Sequence, residues 1–341
     1  MRALLCIIIL IELLYYHALG FDIKSFLGGL KNSVSYYSLS VISEQCDERW
    51  VTESTVGLER DLEKFVYGQD LATEIILLAL ESHLVKSYRR KPLVLNFHGW
   101  PGGGKGYVAD FIVKNWFKKG GKSKFVKTYF AKLHFPKESE LHNYQKRLQN
   151  ELEETVYKCP RAMFVFDEVE KYPPYVLDGI KPYLDYNNEV NGYDFRETIF
   201  IFISNTGDQL ITNITYQKHL EGIPREKLIL KDFEQPLKTA SFNEIGGFLH
   251  SELIRHSLID YMIPFLPLER EHVALCVRDE MTFQKGNPAI IQSTIREILD
   301  SFTFVKDLYS ISGCKGVSER VASIIERERR RERRKQHHTE L

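Results

Sequence analysis

Short apolar runs alternate with helical spacings from about residue 92 onward. Leu93-Val-Leu-Asn-Phe-His98 reads as a buried strand, Phe125–Ala131 is a second candidate, and Ala162-Met-Phe-Val-Phe166 and Thr198-Ile-Phe-Ile-Phe-Ile203 are two more, short and apolar. Such runs predict strands buried on both faces. Between them, residues 107–118, 138–157 and 173–184 carry helical periodicity. Strands alternating with helices imply a parallel sheet covered on both faces, hence an α/β domain. Upstream, residues 47 to about 91 read as mostly helical. Leu58, Leu62 and Phe65, then Leu71, Ile75 and Leu78, are spaced for buried faces, and Lys91-Pro92 ends the segment. From about Gly246 the pattern becomes helical, and Asn287–Leu299 is its clearest amphipathic stretch. The expected organisation is a large α/β domain over 47–245, a small helical domain over 246–325 and a basic tail over 326–341.

Composition narrows the class. The 341 residues carry 46 basic and 46 acidic side chains, so the chain has no global field for nucleic acid or an anionic membrane. Apolar residues at 43% and charged residues at 27% exclude intrinsic disorder, collagen and a polytopic membrane protein for the bulk of the chain.

The two ends suggest an address. Met1-Arg2, an apolar run, then Ala18 and Gly20 match a secretory signal peptide over residues 1–20. Residues 21–46 form a leader whose first part has apolar residues at helical spacing, either a membrane-surface helix or a mobile lead-in. Cys46, Cys159, Cys276 and Cys314 remain after the signal, an even number for an oxidising compartment, and spacing leaves their connectivity open. No CxxC occurs, which argues against zinc. Asn213-Ile-Thr215 is the one glycosylation sequon. The run Glu326–Lys335 reads as a solvated helical extension with Glu–Arg neighbours one turn apart. His338-Thr-Glu-Leu341 is similar to a degenerate lumenal retention signal.

The candidate chemistry begins directly after the first strand. Gly99, Trp100, Pro101, Gly102, Gly103, Gly104, Lys105 and Gly106 fit GxxxxGK without the Ser or Thr that should follow. Glycines let backbone N–H groups turn toward an anion, and the helix N-terminus adds its partial positive charge. Lys105 would reach the β- and γ-phosphates of a nucleotide. Position 106 normally supplies a hydroxyl to Mg²⁺, so here magnesium must rely on water, phosphate and downstream carboxylates. The strand Met163–Phe166 ends in Asp167-Glu168. Asp167 would hold magnesium through water, and Glu168 would polarise the attacking water. The next strand ends in Ser204-Asn205, and Asn205 would bridge the γ-phosphate and the water. A strand-end carboxylate pair and a turn-capping Asn are the bland alternatives. Lys315, in Gly313-Cys314-Lys315, is either a phosphate-sensing lysine from a lid or a surface lysine.

In this order the pieces resemble the torsins, lumenal AAA+ ATPases related to the Clp/HSP100 branch. The segments that carry the resemblance are Tyr67-Gly68-Gln-Asp-Leu-Ala72, His98–Lys105, Leu133-His-Phe-Pro136, Phe166-Asp-Glu-Val-Glu-Lys171, Ile180-Lys-Pro-Tyr-Leu-Asp185 and Phe202-Ile-Ser-Asn205. Leu258–Leu268 and Gly313-Cys-Lys315 complete the set, and the match covers roughly residues 46 to 318. The resemblance implies an AAA+ phosphate-loop sheet with a helical lid, ATP and Mg²⁺ as ligands, and Tyr67 and Gly68 beside the nucleotide. It makes Lys105 the Walker A lysine, Asp167 and Glu168 the Walker B pair, Asn205 sensor 1 and Lys315 sensor 2. It also implies that Cys314 pairs with Cys276, tying the sensing lysine to redox state.

Departures are Gly106 where torsins carry Asn, and Pro101 and Gly103 in place of a Thr-Gly-Thr pattern. Clp-type relatives place an arginine finger at the position of Leu258, and torsins lack it too. Its loss costs about 10³–10⁵ in rate. The resemblance therefore implies an activator, the lumenal domain of a membrane-anchored protein like lamina-associated polypeptide 1, together with self-association, in the endoplasmic reticulum lumen and perinuclear space. A slow or inactive ATP-dependent switch is the alternative, favoured by Gly106. A small-molecule kinase is the third reading, opposed by the late sensor segment and the signal peptide.

Overall fold

The structure is a computed structural model, and it describes residues 43–339. The expected signal peptide, the expected leader as far as residue 42 and Glu340-Leu341 lie outside the described residues. The chain divides into two compact units, 1–47 and 48–341. All elements named below belong to the second.

Helices α1 (Val56–Phe65) and α2 (Asp70–Val85) precede strand β1 (Leu93–His98). Then follow α3 (Lys105–Trp116), β2 (Val126–Phe130), α4 (Leu141–Lys158), β3 (Met163–Asp167), β4 (Ile199–Ser204), α5 (Asp208–Leu220), α6 (Glu234–Asn243) and β5 (Tyr261–Pro264). The five strands form one parallel sheet in the order β2-β3-β4-β1-β5. Every residue of β1 and β4 is buried, as continuous apolar runs require. Alternate residues face opposite sides. Val94, Phe164, Phe166, Phe200 and Phe202 share a core with Leu148 and Leu152 of α4 and Ile211 of α5. Leu95, Phe97, Val165, Ile201 and Ile203 are buried from the other side.

Two expectations fail locally. Residues 173–184 make a 3₁₀ turn, Leu177–Ile180, and a one-turn helix, Lys181–Leu184, in place of a continuous helix. Pro173, Pro174 and Pro182 interrupt it, and Tyr175 takes a left-handed φ of 67°. The segment after Gly246 is not uniformly helical either, because it supplies β5. Pro264 is tolerated there since β5 lies at the sheet edge. Asp260 ties this strand to β1 by accepting from Lys91 Nζ at 2.7 Å and Val94 N at 2.8 Å.

Beyond β5, α7 (Arg270–Phe283), α8 (Ile291–Ser301) and α9 (Val317–Thr339) gather a separate core. Val273, Val277, Met281, Ile295, Ile298, Val321 and Ile324 form it. A two-stranded hairpin, β6 (Phe304–Val305) and β7 (Tyr309–Ser310), leads into the turn that carries Cys314 and Lys315. Cys276 on α7 and Cys314 form a disulfide.

Two histidines are buried at the sheet. His98 ends β1, with Nδ1 at 3.2 Å from the Thr206 carbonyl and Nε2 at 3.4 Å from the Met262 sulfur. His83 on α2 has Nε2 at 3.1 Å from the Glu197 carbonyl. Burial pushes both imidazoles down to about 4. Their folded pKa lies below the unfolded value, so they contribute stability above pH 6.5 and lose it as pH falls toward 4. The expected loss is about 2 kcal/mol per imidazole between pH 7 and pH 5. Thermal unfolding across that range checks this. The acid-side slope should be shallower in His98→Gln.

Candidate active site

The register between β1 and β4 sets His98 opposite Ser204, and β3 flanks β4 with Phe166 opposite Phe202. The carboxyl ends of three neighbouring strands therefore release the phosphate loop, Asp167-Glu168 and Asn205 side by side. This is where α/β sheets bind ligands. The loop folds back on itself through Gly103 N to the Trp100 carbonyl at 3.1 Å, and α3 starts as Val108 N donates to the Gly104 carbonyl at 2.8 Å. Its Gly102 has φ 80°, and a Cβ there would lie 1.9 Å from the Ser312 carbonyl oxygen. Across the contact, a Cβ on Gly313 would lie 2.1 Å from the Gly102 oxygen. Backbone thus meets backbone, and Cys314 N donates to the Gly102 carbonyl at 3.1 Å. The disulfide-bonded turn rests directly on the phosphate loop.

Lys105 is buried at the start of α3. Its Nζ donates to the carbonyls of Gly99 at 2.5 Å and Trp100 at 2.9 Å, and to Asn205 Oδ1 at 2.9 Å. Burial lowers its pKa to about 8, against the raising effect of Glu170, Asp167 and Asp208. An anion in the loop would add the full charge that these dipoles only partly replace. Asp167 is half-buried, and burial raises its pKa although its Oδ1 accepts from Glu168 N at 2.9 Å. Glu168 has a left-handed backbone, φ 57°, and its carboxylate contacts Lys171. That pair is solvent-exposed and contributes little stability, so it leaves Glu168 able to turn toward a ligand.

These groups line one cavity of about 590 Å³. Phe65, Val66, Tyr67 and Tyr107 form its apolar end, where Phe65 and Tyr107 both pack on Phe111. Asp279 accepts from the Tyr67 hydroxyl at 2.5 Å, and burial together with that carboxylate raises the phenol's pKa. Lys105, Asp167, Glu168 and Asn205 form the polar end, and Lys315 reaches the wall from the exposed turn. A cavity lined by aromatic side chains and a cationic glycine loop suits a nucleotide.

The remaining candidates separate. Pro101, Gly102, Gly103, Gly104 and Gly106 line the cavity. Gly68, Gly99 and Trp100 do not. The Gly68 carbonyl accepts from Arg225 Nε at 3.2 Å, and the Trp100 indole donates to Thr212 Oγ1 at 2.6 Å, away from the cavity. Asn213 is exposed on α5, whereas Thr215 is buried with its hydroxyl on the Ile211 carbonyl. Leu258 is buried in the core, and Arg255 is exposed and pairs with Glu252 at 2.9 Å. No arginine among the described residues lines the cavity.

Three residues that sequence reasoning gave no role also belong here. Tyr107 and Asp279 line the cavity, and Glu170 accepts from Asn205 Nδ2 at 2.7 Å. The only signal for Glu170 was its place two residues after Glu168. Nothing in the pattern marked Asp279.

The donor set fits magnesium held mostly by water and phosphate, with Asp167 as the protein carboxylate. Gly106 supplies no ligand atom, and a Cβ there would meet nothing within 4 Å. Gly106→Ser therefore fits, and it should stabilise α3 by about 0.5 kcal/mol through helix propensity. It should also tighten magnesium-dependent ATP binding by restoring a hydroxyl. Thermal unfolding with and without Mg²⁺ and ATP measures both.

Comparison with known proteins bears on the same features. A yeast Hsp104–ADP complex superposes with a TM-score of 0.59 at 19% identity, over 87% of this chain and 50% of that one. A closed Hsp104 bound to ATPγS and casein gives 0.55 at 18% identity, over 81% and 46%. This chain spans about half of those longer chains, and the shared feature is the AAA+ fold. The Torsin family model matches residues 40–166. A Caenorhabditis elegans torsin-like protein is 40% identical over 294 residues, 85% of this chain and 81% of that one. A Drosophila melanogaster torsin-like protein is 38% identical over 83% and 85%, and mouse Torsin-3A is 35% identical over 80% and 71%. With this much identity across most of both chains, the protein belongs to the torsin family.

Proposed function

We propose that this protein is an ATP-hydrolysing remodelling ATPase of the endoplasmic reticulum lumen and nuclear envelope, completed by an activator that supplies an arginine. The observation that carries the reading is the convergence of Lys105, Asp167, Glu168 and Asn205 at the polar end of a cavity whose other end is aromatic. Torsin membership and the AAA+ fold support the ATPase class.

In this reading the adenine lies among Val66, Tyr67 and Tyr107. The triphosphate lies along Gly102–Gly106. Lys105 exchanges two carbonyls and Asn205 for phosphate oxygens, a gain because its partners become charged. Glu168 turns from Lys171 and accepts a proton from the attacking water. Lys315 approaches the γ-phosphate from the lid turn. When bound, a magnesium ion at Asp167 neutralises charge that develops on the phosphates. The buried Leu258 and the lack of a cavity arginine among the described residues support an external arginine, from a lumenal domain similar to that of lamina-associated polypeptide 1. Lumenal residence, a glycan at Asn213 and self-association belong to the same proposal. No helix among the described residues is long and apolar enough to cross a membrane.

Gly106 is the observation that favours a slow switch instead, since it leaves magnesium without a loop hydroxyl. Turnover by residues 47–341, alone and with an activator domain, separates the two. The ATPase reading expects negligible turnover alone, a rise of about 10³–10⁵-fold with activator, and a drop of at least about 10²-fold in Glu168→Gln with ATP still bound. Lys105→Ala should lose ATP. ATP binding without turnover in either condition would leave the switch.

The Cys276–Cys314 bridge yields a second expectation. Cys314 N is bonded to the Gly102 carbonyl, so opening the disulfide frees the turn that rests on the phosphate loop. Reduction should shift ATP and ADP affinities, measured by titration of the oxidised and reduced forms. Equal affinities would leave a purely structural bridge.

A further inference from the structure

Glu170 lies in the turn after β3 and holds the end of β4. One carboxylate oxygen accepts from Asn205 Nδ2 at 2.7 Å, and the other accepts from Asn205 N at 3.2 Å with the Ser204 hydroxyl at the same distance. On its far side, Asn205 presents Oδ1 to Lys105. A carboxylate only accepts and an ammonium only donates. An amide between one of each has a single satisfied orientation, nitrogen on Glu170 and oxygen toward the phosphate loop. The turn is itself pinned. A Cβ on Gly246 would lie 2.5 Å from the Glu170 carbonyl oxygen, and Gly247 N donates to the Val169 carbonyl at 3.0 Å. Glu170 therefore does not withdraw without moving the chain packed on its backbone.

We propose that Glu170 is a positioning residue that fixes the polarity of Asn205, keeping its amide oxygen toward the nucleotide. This rests on the ATPase reading of the site. An oxygen facing the phosphates gives no hydrogen bond to a γ-phosphate oxygen, since both are acceptors. It does accept from water. When Lys105 moves to the phosphates, Asn205 Oδ1 is released and takes an O–H of the attacking water, whose other proton goes to Glu168. Asn205 thus acts as a water-orienting acceptor here, and Glu170 prevents it from acting as a phosphate donor.

Glu170→Gln tests this with an isosteric change. Asn205 N still demands an acceptor, so the Gln oxygen takes that position. Its NH₂ then faces the Asn205 amide and turns Oδ1 inward. Nδ2 now points at the loop and can donate to the γ-phosphate.

Titration with fluorescent ATP and ADP analogues, together with single-turnover hydrolysis in the presence of the activator's lumenal domain, reads the result. The expected signature is roughly tenfold tighter ATP binding relative to ADP, the order of one charge-assisted hydrogen bond. Hydrolysis of the bound ATP should slow at least about tenfold. A loss of general integrity would weaken both nucleotides and hydrolysis together. The tightening should vanish in the Glu170→Gln/Asn205→Ala double variant.

Unchanged binding and turnover in Glu170→Gln, an equal fall for ATP and ADP, or tightening that persists in the double variant would each overturn the proposal. Asn205→Ala gives an independent reading should Glu170→Gln not fold. It should slow hydrolysis without selectively weakening ATP, and a selective loss of ATP would show Asn205 donating to the γ-phosphate and refute the proposal. If the unsubstituted protein binds neither nucleotide, the ATPase reading itself fails, a pattern distinct from all of these.

Discussion

Six parallel pairs between Leu93–His98 and Ile199–Ser204 are the constraint on which the rest depends. Side-chain direction in a strand has period two, so a slip of one residue would turn Val94, Phe200 and Phe202 out of their core. The same slip would move Asn205 away from Lys105. Burial on both faces therefore fixes the register, and the register fixes the site. Phe166 opposite Phe202 extends this to Asp167 and Glu168. The chemistry sits where three largely apolar strands run out together.

Electrostatics then organises the polar end. Lys105 is nearly buried and surrounded by oxygen, two carbonyls and one amide, with Asp167, Asp208 and Glu170 acting on it from farther out. Burial drives the ammonium toward neutrality, and these neighbours, the carboxylates included, offset part of that cost. The site is thus ready for an anion with its cation already desolvated. Glu170 and Asn205 connect this cation to the turn after β3, the turn that also carries Glu168. On the other side, the disulfide-held turn touches the loop through backbone atoms. Glycine at both 102 and 313 permits that approach.

Much of this was legible from local pattern. Leu93–His98, Met163–Phe166 and Ile199–Ile203 are continuous apolar runs, and such runs have few alternatives to buried parallel strands. GxxxxGK after one of them and Asp-Glu after another predict a phosphate site, because the chemistry needs those groups at strand ends. β5 was missed since Tyr-Met-Ile-Pro is four residues long and contains a proline. Only its edge position, a property of the sheet, makes it a strand. Residues 173–184 have helical spacing, yet their prolines break the hydrogen-bond ladder, and packing against α4 does not restore it.

The chain's own residues determined its class, the order of its elements and the candidates for its reactive groups, because strand burial and phosphate binding each demand particular side chains at short range. Tertiary structure alone decided which of those groups meet. Trp100 lies in the loop motif but turns to Thr212, whereas Asp279 lies more than two hundred residues from Tyr67 and bonds to it. Asn205 is polar in sequence and could face either way. Its direction is set by a carboxylate on one side and an ammonium on the other, two neighbours that only the parallel sheet brings together.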